Sequence, residues 1–292
     1  MRKLLLLWLC LLLLPARAEG PTFVRLVKNA EGRPSALQTA ITRYASKSGV
    51  TVDLVGVVHI GDLAYYQALN RQLKAYDAVL FEAVVDEGQA VEGRRDMARA
   101  VGLDYEPRYE IRPDPSHPLT AVQMKLASML GLAYQPEVVD YSGDQFVHAD
   151  MTAQEFEKSM QKRGENATTL FLRLLKKSLQ RSSELEESEL ENLNPLALLT
   201  REPTEAERQA LRRVLAANIG DVEGLAVELQ GTALITGRNQ RCIKVLGQQL
   251  KKGRKRVAIL YGAAHMPDFD QRLVKQLKLK RKSQSWLTAW KL

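Results

Sequence analysis

The stretch LVGVVHIGD, from Leu54 to Asp62, shares its pattern with LYGAAHMPD, from Leu260 to Asp268. Both read Leu-x-Gly-x-x-His-x-x-Asp, and each lies at the end of an apolar run. Apolar runs that are continuous rather than alternating indicate strands buried on both faces, as in a parallel sheet covered by helices. We therefore predict an α/β fold in which both motifs follow strands of one sheet.

Three zones of different composition lie along the chain. Up to about residue 85 the pattern indicates strand, helix and strand, and the last third returns to it with RVAILYG and the alternating SWLTAWKL, which is typical of an edge strand. Amphipathic helical patterns fill the zone between. We predict one domain over residues 19–292, built on a mainly parallel, split sheet flanked by helices, with an all-helical insertion at about 87–203.

The first eighteen residues have the three parts of a secretory signal peptide: MRK, an apolar run from Leu4 to Leu14, and PARA. The apolar run is about half the length that a membrane span needs. We therefore expect cleavage after Ala18, a secreted or periplasmic location, and no stable membrane anchor afterwards. Cys242 is then the remaining cysteine, so an internal disulfide is not expected.

The chain is moderately basic, with 42 Lys and Arg against 34 Asp and Glu. The excess is concentrated in KKGRKR, from Lys251 to Arg256, and KQLKLKRK, from Lys275 to Lys282. We interpret these runs as a solvated helix end and a surface turn, with anion binding as the alternative; the secretory leader argues against nucleic acid as a partner. The absence of Gly-x-Gly-x-x-Gly, P-loop and Gly-x-Ser-x-Gly motifs disfavours nucleotide cofactors and a serine nucleophile.

Each repeated motif places a histidine at or just beyond the carboxyl end of a strand, where parallel sheets bind ligands. A right-handed crossover would bring Glu82, which follows the run AVLF, to the same edge beside His59. His59, Glu82 and His265 are a ligand set suited to zinc or another first-row divalent ion, with one position left for water. Gly56 and Gly262 would let backbone or substrate approach the strand ends closely.

Further polar residues have both functional and structural interpretations. Arg238 could stabilise an oxyanion or anchor a substrate carboxylate, or it could be a surface arginine near a helix start. Asp62 and Asp268 could orient the histidines or could cap a helix and form a turn. His148, with Asp150 beside it, could face the cleft or lie in a solvated loop.

The chain resembles the TraB/PrgY/GumN group and its animal relatives, the TIKI metalloproteases. The features that carry the resemblance are the two Gly-x-x-His segments, the glutamate after AVLF, and the segment GRNQRCIKVL. The resemblance covers most of the chain after the leader. It implies a fold related to the erythromycin esterase and ChaN proteins, and a metal-dependent peptidase activity with Mn- or Co-type ions. By motif, His59 and His265 match the family histidines, Glu82 the acidic position, and Arg238 and Asn239 the Arg-Asn pair.

These observations predict a secreted or periplasmic metal-dependent hydrolase that uses Zn, Mn or Co and acts on a peptide or a small molecule. Glu82 or a nearby aspartate would be the base, and Arg238 the electrophilic support. One alternative is a non-catalytic protein of the same fold that sequesters a peptide, haem or metal. Another is a metal-free, esterase-like hydrolase that keeps the two histidines and lacks the ion.

Overall fold

A mixed seven-stranded sheet lies at the centre of the computed structural model, which describes residues 21–84, 118–165, 201–219, 229 and 231–292. Its strands are β1 (Val24–Lys28), β2 (Pro34–Ala45), β3 (Thr51–Val57), β5 (Ala78–Phe81), β7 (Phe146–His148), β8 (Arg256–Gly262) and β9 (Lys280–Lys291). The order across the sheet is β1-β2-β3-β8-β5-β7, and β9 also pairs with β2. A separate small sheet consists of β4 (Ile60–Gly61) and β6 (Ala133–Tyr134).

Helices cover both faces of this sheet. They are α1 (Leu63–Leu73), α2 (Pro118–Leu130), α3 (Gln135–Val138), α4 (Ala153–Lys162), α5 (Glu205–Ile219), α6 (Arg238–Lys251) and α7 (Met266–Gln271). Alternate residues of β3, β5 and β8 point to opposite faces. One set packs with α1, α2 and α5, and the other packs with α6 and α7. The α/β class predicted from the apolar runs is therefore confirmed.

The four strands β3, β8, β5 and β7 run parallel, so their carboxyl ends meet at one edge. In β8, all residues from Val257 to Gly262 are buried, as predicted for a strand covered on both sides. The antiparallel strands β1, β2 and β9 extend the sheet on the β3 side. The predicted carboxyl-terminal edge strand is present as β9, but it begins earlier than the alternating SWLTAWKL segment.

The predicted insertion, about 87–203, is described only over residues 118–165. This part contains β6 and β7 as well as helices, and β7 joins the main sheet beside β5. The prediction of an all-helical insertion is therefore wrong for the described part. A three-residue strand is too short to show a sequence pattern, and its partner β5 stabilises it through pairing.

The leader, residues 1–18, lies outside the described residues, and so does the rest of the predicted insertion. Among the helices that the structure does describe, none has the length and apolar character to cross a bilayer. The predicted signal peptide, its cleavage after Ala18 and the secreted or periplasmic location stay predictions.

The end of β9 is fastened to the chain that follows His59. Trp290 is almost fully buried, and its indole Nε1 donates to the Ile60 carbonyl at 2.6 Å. Asp62 holds the same end twice, because its N–H donates to the Ala289 carbonyl and its carboxylate accepts from the Lys291 N–H. The strand β9 therefore fixes the backbone on which His59 stands.

We expect Trp290→Ala to lower the free energy of unfolding by about 3–5 kcal/mol, because it removes a buried indole and leaves the Ile60 carbonyl without its donor. The half-buried Trp286, whose ring packs under the Arg25 guanidinium, is the control, and Trp286→Ala should cost less. Urea unfolding followed by circular dichroism measures both. Equal losses would contradict the importance given to the Trp290 anchor.

Candidate functional site

Four polar side chains stand at the carboxyl edge of the parallel strands. His59 follows β3, Glu82 follows β5, Asp150 follows β7, and His265 follows β8. The sequence predicted Glu82 at the same edge beside His59, and both side chains do approach Gly262, although β8 lies between the strands β3 and β5 that carry them. The Glu82 N–H donates to the Leu260 carbonyl of β8. Glu82 therefore stands next to the strand that carries His265.

Arg238 is the first residue of α6 and lies directly behind a π-helical turn, Ala233–Gly237. π-Turns of this kind are frequent at functional sites. A Cβ on Gly237 would lie 3.0 Å from the Met151 Cε and 3.2 Å from the Ser159 Oγ. The glycine therefore lets the turn pack against α4, and this packing sets the position of Arg238.

The Arg238 guanidinium bridges two carboxylates from different strands. Its Nη2 donates to Glu82 Oε1 at 2.8 Å and to Asp150 Oδ2 at 2.5 Å, and its Nε donates to Asp150 Oδ1 at 2.9 Å. Arg238 is 6% exposed and Asp150 is 1% exposed. The bridge is therefore a buried ion-pair network, in which each charge depends on the others because water does not solvate them.

Burial would raise the pKa of Glu82, but the Arg238 charge, His265, His59 and the Gly262 N–H all lower it and together outweigh burial. The pKa of Glu82 is therefore held well below its usual range. Burial would likewise lower the pKa of Arg238, but the Glu82 and Asp150 carboxylates raise it above its ordinary value. At neutral pH Glu82 is therefore ionised and Arg238 is a guanidinium.

Gly262, the last residue of β8, lies among three of the predicted site residues. Its N–H donates to Glu82 Oε2 at 2.5 Å. A Cβ on Gly262 would lie 3.2 Å from Glu82 Oε2, and 3.8 Å from both the His59 Nε2 and the His265 Cδ2. The glycine therefore leaves room for both imidazoles and the carboxylate around one backbone position. The predicted approach of a substrate to this strand end stays a prediction.

His265 is 4% exposed and has a defined tautomer. The Asn239 Nδ2 donates to the His265 carbonyl at 3.1 Å and to Asp268 Oδ2 at 2.8 Å. This orientation turns the Asn239 Oδ1 towards the His265 Nδ1, 2.6 Å away, so Nδ1 must be the donor. Arg272 holds the Asp268 carboxylate in turn, with its Nε 2.6 Å from Oδ2.

Burial lowers the pKa of His265 to about 4, against the opposing effect of the Glu82 carboxylate. The imidazole is therefore neutral at neutral pH and carries its proton on Nδ1. Its Nε2 has a lone pair and lies 3.6 Å from Glu82 Oε1. The contact is therefore not an ion pair, because both the His265 Nε2 and the Glu82 Oε1 present lone pairs to each other.

His59 is exposed and is held by a buried amide of similar kind. The Gln135 Nε2 donates to the Tyr141 hydroxyl at 3.0 Å, which turns the Gln135 Oε1 towards the His59 Nδ1 at 3.1 Å. The Gln135 N–H also donates to the His59 carbonyl. Sequence reasoning missed Gln135, because nothing in YQPEVVD connects it with a histidine 76 positions away.

The remaining predicted residues lie beside the site but not in it. The Asp62 carboxylate bonds the Lys291 N–H, and Asp268 reaches His265 only through Asn239. The His148 Nε2 lies 2.6 Å from the Ala83 carbonyl, next to Glu82 in sequence. Gly56 lies within β3, where a Cβ would meet the Met266 Cγ at 3.2 Å, so its small size serves the packing of α7.

The donors of this site fit a divalent ion by type. A neutral imidazole Nε2 and a carboxylate face each other, and an amide orients each histidine as metal-binding histidines require. In the part of the chain that the structure describes, no group of three or more His, Cys, Asp or Glu side chains has the arrangement of a metal site. His265 and Glu82 would hold such an ion, with His59 as the third donor.

No family model matches the chain, and searches of curated proteins and of solved structures likewise give no match. The resemblance to the TraB/PrgY/GumN group therefore stays a prediction.

The pKa of His265 predicts how stability depends on pH. An unfolded histidine titrates near 6.5 and folded His265 at about 4, so the unfolded state binds more protons between these values. The free energy of unfolding should then fall by about 2 kcal/mol as the pH drops from about 6.5 to about 5. Glu82 adds to this loss only below its ordinary pKa of 4.5. Urea unfolding with chelator present measures the slope, which His265→Gln should flatten; an unchanged slope would contradict a buried neutral His265.

The Asn239 contact predicts that His265 carries its proton on Nδ1. Long-range ¹⁵N NMR of the imidazole at neutral pH should show this tautomer in the wild-type protein. Asn239→Leu should produce a mixture of tautomers, because leucine offers no acceptor to Nδ1. Asp62→Asn serves as the control, since Asp62 bonds a backbone N–H, and should leave the spectrum of His265 unchanged. A wild-type signal from the Nε2–H form would contradict the assignment.

Proposed function

We propose that the protein is a secreted or periplasmic metal-dependent hydrolase that acts on peptides, with His59, Glu82 and His265 as ligands. The observation that supports this proposal is the 3.6 Å approach of the neutral His265 Nε2 to the ionised Glu82 Oε1. Two electron-pair donors that face each other attract a cation. The choice of peptides, and the fold relation to the erythromycin esterase and ChaN proteins, rest on the sequence resemblance.

The ion, when bound, would supply a water of lowered pKa and would polarise a substrate carbonyl. The residues of the chain support this chemistry in separate ways. Asn239 and Gln135 hold the imidazoles with Nδ1 protonated, so that both Nε2 atoms are available as donors. Arg238 places a fixed positive charge beside Glu82, where it would stabilise negative charge that develops on a substrate oxygen.

Glu82 is poorly suited to the role of general base that the sequence suggested. An efficient base has a pKa near the working pH, and the pKa of Glu82 is held well below its usual range. Asp150 is fully engaged with Arg238. We therefore assign Glu82 to holding the ion and positioning Arg238, rather than to accepting a proton.

A metal-free hydrolase is the second candidate, and the exposure of His59 favours it. His59 is exposed, and the Gln135 amide holds its Nδ1, which leaves Nε2 available to a water molecule. Arg238 already neutralises Glu82 without an ion. In this candidate His59 would activate water and Arg238 would stabilise the oxyanion.

The deciding experiment is elemental analysis of the protein purified without chelator, compared with His59→Ala and His265→Ala. His148→Ala is the matched control, since His148 is the last residue of β7 at the same edge of the sheet but contacts the Ala83 carbonyl. Circular dichroism checks the folding of each variant. We expect nearly one equivalent of Zn, Mn or Co in the wild type and the control, and loss of the metal in the other two variants.

A wild-type protein that stays free of metal after reloading with each ion would overturn the metal-dependent proposal. Peptide and ester libraries then separate the remaining candidates. Hydrolysis that is lost in His59→Ala would support the metal-free hydrolase. Binding of peptide, haem or metal without turnover would support a sequestering protein.

A further inference from the structure

The end of the sheet opposite the candidate site carries a concentration of positive charge. One row of backbone partners crosses four strands there: Lys280 pairs with Ala45, Ala45 with Thr51, and Thr51 with Arg256. The turns that connect to these four strand ends therefore lie side by side. Their exposed basic side chains form what we call the basic pole: Lys47, Lys252, Arg254, Lys255, Lys278 and Lys280.

Acidic residues at this end do not neutralise the basic pole. Asp77 bonds Arg256, Asp270 bonds Arg281, and buried Asp53 bonds Arg43. Among the described residues, none of the six side chains of the basic pole forms an ion pair with an acidic residue. The pole is thus a cluster of uncompensated charge, to which Lys47 and the two basic runs of the sequence contribute together.

An exposed apolar side chain accompanies these charges. Leu277 is 37% exposed, which few large apolar residues are in the part of the chain that the structure describes, and it lies directly before Lys278. The chain turns at Lys278, whose φ of 55° lies in the left-handed region, and then enters β9. A leucine among lysines on an exposed turn suits a lipid surface, where the charges meet anionic headgroups and the apolar group enters the interface.

We propose that the basic pole docks the protein reversibly onto an anionic lipid membrane. The candidate site lies at the other end of the parallel strands, and a seven-residue strand such as β3 spans roughly 20 Å. The docked protein would then present its site away from the bilayer, towards soluble substrates. This orientation follows from the direction of the strands and does not depend on the reaction at the site.

The test uses the full chain, expressed with its own N-terminus and purified after any processing, in co-sedimentation with vesicles. The wild type should bind vesicles of phosphatidylglycerol and phosphatidylcholine, but not phosphatidylcholine alone. Near an anionic surface each basic residue contributes about fivefold in affinity, so Lys47→Glu/Arg254→Glu/Lys280→Glu should weaken binding at least ~100-fold. Salt should release the protein, because the screening length falls from about 10 Å at 0.1 M to about 3 Å at 1 M.

The matched control makes the same change of charge elsewhere, as Lys28→Glu/Lys158→Glu/Lys291→Glu, at three exposed lysines outside the basic pole. It should retain most of the binding, and Leu277→Ser should weaken binding without any change of charge. Circular dichroism checks that each variant is folded. Equal losses in the two triple variants would overturn the proposal, because net charge alone would then explain binding.

Two further outcomes would also overturn the proposal. One is failure of the wild type to bind anionic vesicles at low salt. The other is tighter binding to a short DNA duplex than to vesicles at the same concentration of phosphate, which would make the basic pole a nucleic-acid surface.

Discussion

The buried bridge from Arg238 to Glu82 and Asp150 is the interaction on which the rest of the site depends. It joins the ends of two strands to the start of α6, and the three residues lie far apart in the chain. Removal of one member of such a network leaves an unpaired buried charge, which costs about 3–5 kcal/mol. The bridge therefore holds Glu82 ionised beside His265, although burial alone would favour the protonated acid.

The histidines of the site illustrate a different use of burial. The Asn239 amide holds the Nδ1 of His265, and the Gln135 amide holds the Nδ1 of His59. Because both amides are neutral, they add no charge to this edge of the sheet. Burial then keeps His265 neutral. A carboxylate in place of the Asn239 amide would raise the pKa of His265, whereas the neutral amide orients the ring without adding charge.

The direction of the parallel strands separates the two ends of the molecule. The carboxyl ends carry Glu82, Asp150 and the histidines, and the turns at the amino ends carry the basic pole. Because backbone pairing sets the register of the strands, the two ends are held roughly 20 Å apart. This distance is about twice the Debye length at 0.1 M salt, so their exposed charges are largely screened from each other. The proposed membrane-binding surface and the candidate site can thus coexist at opposite ends of one sheet.

The sequence by itself determined the α/β class, the central strands, and the placement of His59, Glu82 and His265 near strand ends, because continuous apolar runs and their end points are local patterns. Only the tertiary structure decided that β8 lies between β3 and β5, that β7 joins the sheet, that Gln135 holds His59 and that Asp150 shares Arg238. Strand order and contacts between distant residues arise when separate segments pack together, and a reading of neighbouring residues contains no signal for such pairings.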